Sequence, residues 1–224
     1  MNFKLRNETI IAYIFSFIYG YVNAIGFIVM NGLFFTFMSG NSIRLGVNLG
    51  NFDLQSNLRL FIVFTALILG IFLSDFLFST LKKRSIEILI LLELLLFIVT
   101  LLFSLKYNSW IVFLPLGIAM GVQNMLNLLI GNNLMGKSFI TGLIFNFGIS
   151  LSRLVQGKGS WRLSMKYAFT WFIFVIGAIM GTLVIENFNL FISILLITLG
   201  FIYVSIYLLM LLKNELLNIK TYVN

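Results

Sequence analysis

Apolar residues fall into six long blocks, 9–30, 59–81, 86–105, 110–130, 162–185 and 190–212, separated by short polar interruptions. A hydrocarbon core about 30 Å thick takes about 20 helical residues at a rise of about 1.5 Å each. Every block meets that length, so the pattern predicts six transmembrane helices. Two of the interruptions are longer and of another kind. After the first block, 31–51 breaks at Asn31-Gly32 and restarts as a short helical stretch at Ser39-Gly40-Asn41. After the fourth, 131–157 breaks and restarts at Thr141-Gly142.

The two broken stretches and the blocks before them correspond. Gly20 and Asn23 answer to Gly121 and Asn124. Ser39-Gly40 answers to Thr141-Gly142, 41–44 to 143–146, and Gly46 to Gly148. One unit of three spans is thus read twice within a single membrane domain, 1–224, as repeat one (9–105) and repeat two (110–212). Three is odd, so the copies face opposite ways across the bilayer. The expected fold is an all-α membrane protein of two inverted three-helix repeats, each with a short broken or re-entrant helix after its first span. Binding sites in such transporters lie near the midplane, where interrupted helices of the two halves meet.

Composition agrees and narrows the chemistry. Of 224 residues, 60% are apolar and 10% charged, which places the chain among polytopic membrane proteins. There is no histidine and no cysteine. Their absence removes the commonest general base, the commonest metal ligand and any disulfide framework. No carboxylate pair, phosphate loop or metal motif stands out, so the chain is expected not to be an enzyme and to need no metal or cofactor.

The net charge of +8 lies between spans rather than in one patch, which speaks for membrane orientation and against nucleic acid. With a cytoplasmic amino terminus and both breaks returning to their own side, Lys4, Arg6, Lys82, Lys83, Arg84, Lys137, Arg153, Lys158, Arg162, Lys166, Lys213 and Lys220 lie inside. Only Arg44, Arg59 and Lys106 lie outside. That bias predicts both termini on the cytoplasmic side of the plasma membrane. The first block lacks a small-residue cleavage pattern and is expected to stay as a helix.

Candidate site residues cluster at the breaks. Ser39 and Thr141 open short helices where a hydroxyl can cap an orphan amide, and helix amino ends near the midplane would form a partly positive pocket. Asn41, Arg44 and Asn48 share one helical stripe; Asn146, Ser150 and Arg153 share another. The competing reading is an interfacial amphipathic helix with Arg44 snorkelling to headgroups.

Ser16, Gly20 and Asn23 share a face of the first span, as do Gly117, Gly121 and Asn124 of the fourth, with Gln123 and Asn127 as a second polar edge. These amides either bond across helices or face a wet cavity. Gly70-xxx-Ser74 and Gly177-xxx-Gly181 read as close-packing seams. Glu93, well inside the third span, is the carboxylate expected to be buried, either as a proton or ion carrier or paired with Arg44 or Arg59.

At GYVNAIGF, MSGNSIRLG and MGVQN with a later TG, the chain resembles the YoaK-like family of bacterial membrane proteins, a domain of unknown function. The resemblance covers nearly the whole length and implies a multi-pass cytoplasmic-membrane protein of transporter type. Gly20, Ser39, Gly40, Asn41, Arg44, Gly46, Gln123, Asn124, Thr141 and Gly142 match the pattern. The family usually carries aspartate where this chain has Asn23, which takes that carboxylate away from any coupling role.

The expected function is a small-molecule transporter or facilitator with a midplane site drawn from Asn23, Ser39, Gly40, Asn41, Arg44, Gln123, Asn124, Thr141, Gly142 and Asn146. An anionic or zwitterionic solute would suit Arg44. The alternative is a non-transporting scaffold or regulator whose polar repeats serve helix assembly. The lipid bilayer and an unidentified solute are the expected partners, and a homo-oligomer is compatible with the pattern.

Overall fold

The computed structural model describes residues 8–81, 84–107, 110–130 and 140–223, without the side chains of 8, 54–56, 110, 130 and 214–223. The described residues form eight α-helices and no strand: α1 Glu8–Val29, α2 Met38–Gly50, α3 Leu54–Leu81, α4 Ser85–Lys106, α5 Phe113–Ile130, α6 Ile140–Val155, α7 Trp161–Asn187 and α8 Leu190–Val223. A 3₁₀ turn, Trp110–Val112, leads into α5. The arm 131–139 of the second break, with Lys137, lies outside the described residues, as do Lys4, Arg6, Lys82 and Lys83.

Five helices, α1, α3, α4, α7 and α8, are long and apolar enough to cross a membrane. The fourth expected span differs. It has an 18-residue helix, about 27 Å at the usual rise, because its first residues are spent in the 3₁₀ turn. α5 is also the most enclosed helix, with Leu116, Ala119, Met120, Val122, Gln123 and Leu126 fully buried. Pro115 stands in its first turn, where an amide has no intrahelical acceptor to lose.

Two glycine crossings hold the bundle together. A Cβ on Gly20 of α1 would strike the Phe174 carbonyl of α7, and one on Gly177 would strike the Phe17 carbonyl. A Cβ on Gly121 of α5 would strike the Leu67 carbonyl of α3, and one on Gly70 would strike Ile118. Close backbone approach of this kind is what small residues provide in lipid, where dispersion contacts replace the hydrophobic drive. The small-residue seams read from the sequence are therefore the packing seams. The crossings also share one register: Gly121 and Ile118 lie 101 positions after Gly20 and Phe17, and Gly177 and Phe174 lie 107 after Gly70 and Leu67.

Helix directions follow from the contacts. Ser16 meets Thr170, Gly20 meets Phe174 and Ala178, and Tyr21 meets Gly181, so α1 and α7 run the same way. Ala66 lies beside Gly117 and Gly70 beside Gly121, so α3 and α5 also run the same way. Tyr19 reaches Asn124 and Asn127. Phe35, seated against Gly26 nearer the other end of α1, lies beside Gly117 and meets the Phe113 ring in a tilted contact with centroids 5.4 Å apart. α1 and α5 therefore run oppositely. Where α4 meets α8, Phe97 stacks on Phe201 with centroids 4.7 Å apart.

Both short helices end on the same backbone device. Phe52, after α2, takes a left-handed φ of 59°, and the Asp53 amide returns to the Asn48 carbonyl at 2.9 Å. Gly157, after α6, has φ 69°, and the Lys158 amide returns to Arg153 at 2.9 Å. This six-to-one bond satisfies carbonyls that the last turn would leave open. Between α1, α7 and α8 lies an apolar groove of about 450 Å³ whose lining includes Phe17, Ile173, Leu196 and Val204.

Candidate interior polar site

The loop between α1 and α2 folds back along α1, and two asparagines hold it there. Asn23 accepts from the amides of Phe35 (2.9 Å) and Thr36 (3.1 Å) and donates to Thr36 Oγ1 (2.8 Å) and to the Tyr19 carbonyl (2.7 Å). Asn23 sits six residues before the end of α1, so the loop returns about 9 Å along the helix axis. Asn41, fully buried, grips the same segment: its Nδ2 donates to the Phe34 carbonyl at 2.6 Å and its Oδ1 accepts from the Phe34 amide at 3.1 Å. Irregular backbone taken away from water needs such partners, since each unpaired group is costly.

The start of α2 departs from the sequence expectation. Phe37 occupies the N-cap without a side-chain bond, and Ser39 is an exposed residue inside the first turn. The hydroxyl does not cap the helix because the chain enters it two residues earlier than the Ser-Gly pattern suggested. A Cβ on Gly40 would meet the Phe34 ring at 3.4 Å. The half-buried Arg44 guanidinium lies against Gly32, whose φ of 90° only glycine tolerates well. Thr141 is exposed in the first turn of α6, with Gly142 and Asn146 half-buried beyond it.

A different set of groups meets inside, among α1, α4 and α5. The Tyr19 hydroxyl donates to Asn124 Oδ1 at 2.6 Å and accepts from Asn127 Nδ2 at 2.5 Å. Gln123, Asn124 and Asn127 share one arc of α5 at helical spacing. Glu93 of α4 is fully buried and near enough to the Tyr19 phenol to interact with it electrostatically. Neither Glu93 carboxyl oxygen has a hydrogen-bond partner among the described residues, and neither Gln123 amide atom has one.

Of the residues singled out from the sequence, Gln123, Asn124 and Glu93 thus belong to this interior set. Asn23, Asn41, Gly40 and Arg44 build the returning loop. Ser16 and Gly20 serve the α1/α7 seam rather than a cavity, Ser16 Oγ donating to the Thr170 carbonyl at 2.9 Å. Tyr19 was missed, although a phenol one turn before Asn23 was visible in the sequence.

Chemically, the interior set offers one carboxyl, three amides and a phenol in apolar surroundings. Such a set can hold a small charged or hydrogen-bonding guest. No group of three or more His, Cys, Asp or Glu side chains that could hold a metal occurs among the described residues.

No curated protein and no solved structure shows a match to the chain. The described fold is all-helical with several helices fit to cross a membrane. Residues 11–208 match a family described as "Protein of unknown function (DUF1275)", and the chain belongs to that family.

Proposed function

We propose that the protein is a small secondary transporter or facilitator of the plasma membrane, built from two inverted three-span repeats with both termini cytoplasmic. The observation that carries the transport reading is that two buried side chains, Glu93 and Gln123, are each unsatisfied among the described residues. Polar groups at membrane depth are costly, and where they persist they mark pathways for solutes or ions. Support for the inverted plan comes from the shared register of the two glycine crossings, the opposed directions of α1 and α5, and the common ending of α2 and α6. The loop that turns back at Asn23 supports a re-entrant first break. Arg44, at the Gly32 turn, is the cation that suits an anionic or zwitterionic solute.

A scaffold reading draws on a specific observation as well. Asn23 and Asn41 are engaged by the chain's own backbone, as assembly residues would be. Thiol access separates the two readings, because the chain has no cysteine of its own. In proteoliposomes, Gln123→Cys and Asn124→Cys are expected to react with a water-soluble thiol reagent, while Ile194→Cys, at a fully buried apolar site, stays protected. Equal protection of all three would favour the scaffold and remove the water-accessible route.

A further inference from the structure

We propose that Glu93, buried beside the Tyr19 phenol that Asn124 and Asn127 hold, is an interior site for a single positive charge, delivered as a proton or as a monovalent metal ion. The site deepens the transport reading above and rests on it for its purpose, since a charge taken up and released at this depth is how flux is driven. Among the described residues, both Glu93 oxygens lack a donor. A buried carboxylate without a partner is among the costliest groups a protein can hold, so the pocket requires a compensating charge.

Among the described residues, the neighbouring helices do not provide one. α5 carries no ionisable residue, and α8 carries only Tyr203 and Tyr207 between Leu190 and Leu212. From α1 the ionisable group that faces Glu93 is Tyr19. On α3, Asp75 is exposed, and the half-buried Arg59 stands near the opposite end of that helix. On α4 itself, Lys106 lies thirteen residues away, about 20 Å along the helix, the exposed Arg84 at the N-cap nine residues away, about 14 Å, and Glu87 in the first turn about 9 Å.

The guest is singly charged. A divalent ion collects several oxygens, usually with more than one carboxylate, and no group of three or more His, Cys, Asp or Glu side chains that could hold a metal occurs among the described residues. The neutral group beside Glu93 is the Tyr19 phenol, whose oxygen can ligate a monovalent ion or accept from a protonated carboxyl.

Infrared difference spectroscopy on purified protein in lipid nanodiscs tests the site. At neutral pH in buffer free of sodium and potassium, the wild type is expected to show the carbonyl stretch of a protonated carboxylic acid. Glu93→Gln abolishes that band and Glu93→Asp shifts it, the second variant guarding against a first that fails to fold. A band that withstands sodium chloride identifies the proton as the guest. A band lost on adding sodium chloride, with one proton released and one radioactive sodium ion bound per chain, identifies the metal ion. Both outcomes support the site.

A wild type with an ionised Glu93 and no bound sodium overturns it. A band that both variants leave untouched overturns it equally. The transport reading fails separately: a wild-type band without any flux in proteoliposomes removes transport and leaves the site, whereas solute flux without the band removes the site and leaves transport.

Discussion

Gly121→Val is expected to leave almost no folded protein in the membrane, and Gly20→Val to do the same at the other crossing. The reason lies in what the new side chain would strike. At Gly121 it meets the Leu67 carbonyl, Gly70 Cα at 2.8 Å and the Ile71 amide nitrogen at 2.9 Å. At Gly20 it meets the Phe174 carbonyl and the Ala178 amide nitrogen at 2.9 Å. All of these are backbone atoms of rigid helices, which cannot swing aside as a flexible side chain would.

Overpacking among side chains costs about 1–3 kcal/mol, and helices forced apart lose the dispersion contacts of the whole seam as well. Gly46→Ala, Gly148→Ala and Gly200→Ala add a methyl into open space. They gain helix propensity of up to about 1 kcal/mol each, so they serve as matched controls. Detergent-extracted yield by size exclusion and the thermal unfolding midpoint would measure the contrast. Wild-type yield and midpoint for Gly121→Val would refute the backbone crossing.

The second large effect is expected at Asn23. Asn23→Leu leaves the amides of Phe35 and Thr36 without their acceptor in the interior. Each stranded group costs about 1–3 kcal/mol, enough in sum to release the loop. Asn23→Asp should be much milder, because a carboxylate still offers acceptors to both amides and forfeits only the donations to Thr36 Oγ1 and the Tyr19 carbonyl. Limited proteolysis across 31–37, with unfolding midpoints, separates the two variants; equal damage from both would show that the acceptor oxygen is not what holds the loop.

Much of the architecture was legible from the residues because lipid imposes a simple rule on length and polarity. The helix ends of α1, α4, α7 and α8 lie close to the expected block ends, except that α8 continues to Val223. The Gly70 and Gly177 seams were readable because close approach demands small residues at helical spacing. The role of Asn23 and Asn41 was not. Their partners are backbone groups of an irregular loop, and such bonds leave no periodic trace, so a packed anchor and a cavity wall look alike in sequence.

Tyr19 was hidden for a related reason, since an aromatic ring in an apolar helix reads as packing until its hydroxyl is placed. The shortness of α5 was masked by apolar residues that run on unchanged through the 3₁₀ turn. Glu93 was legible as buried, but an ion pair with Arg44 or Arg59 was as consistent with the sequence as the unpartnered state seen among the described residues.

The glycine crossings also set a timetable for biogenesis. α1 finds its close neighbour in α7 and α3 finds its own in α5, while α1 and α3 hardly meet. When the ribosome has delivered the chain as far as Lys106, the first three long helices are in the lipid with the grooves at Gly20 and Gly70 unfilled. They must wait for the second hundred residues to close over them, and during that wait the nascent protein is most open to quality-control proteolysis.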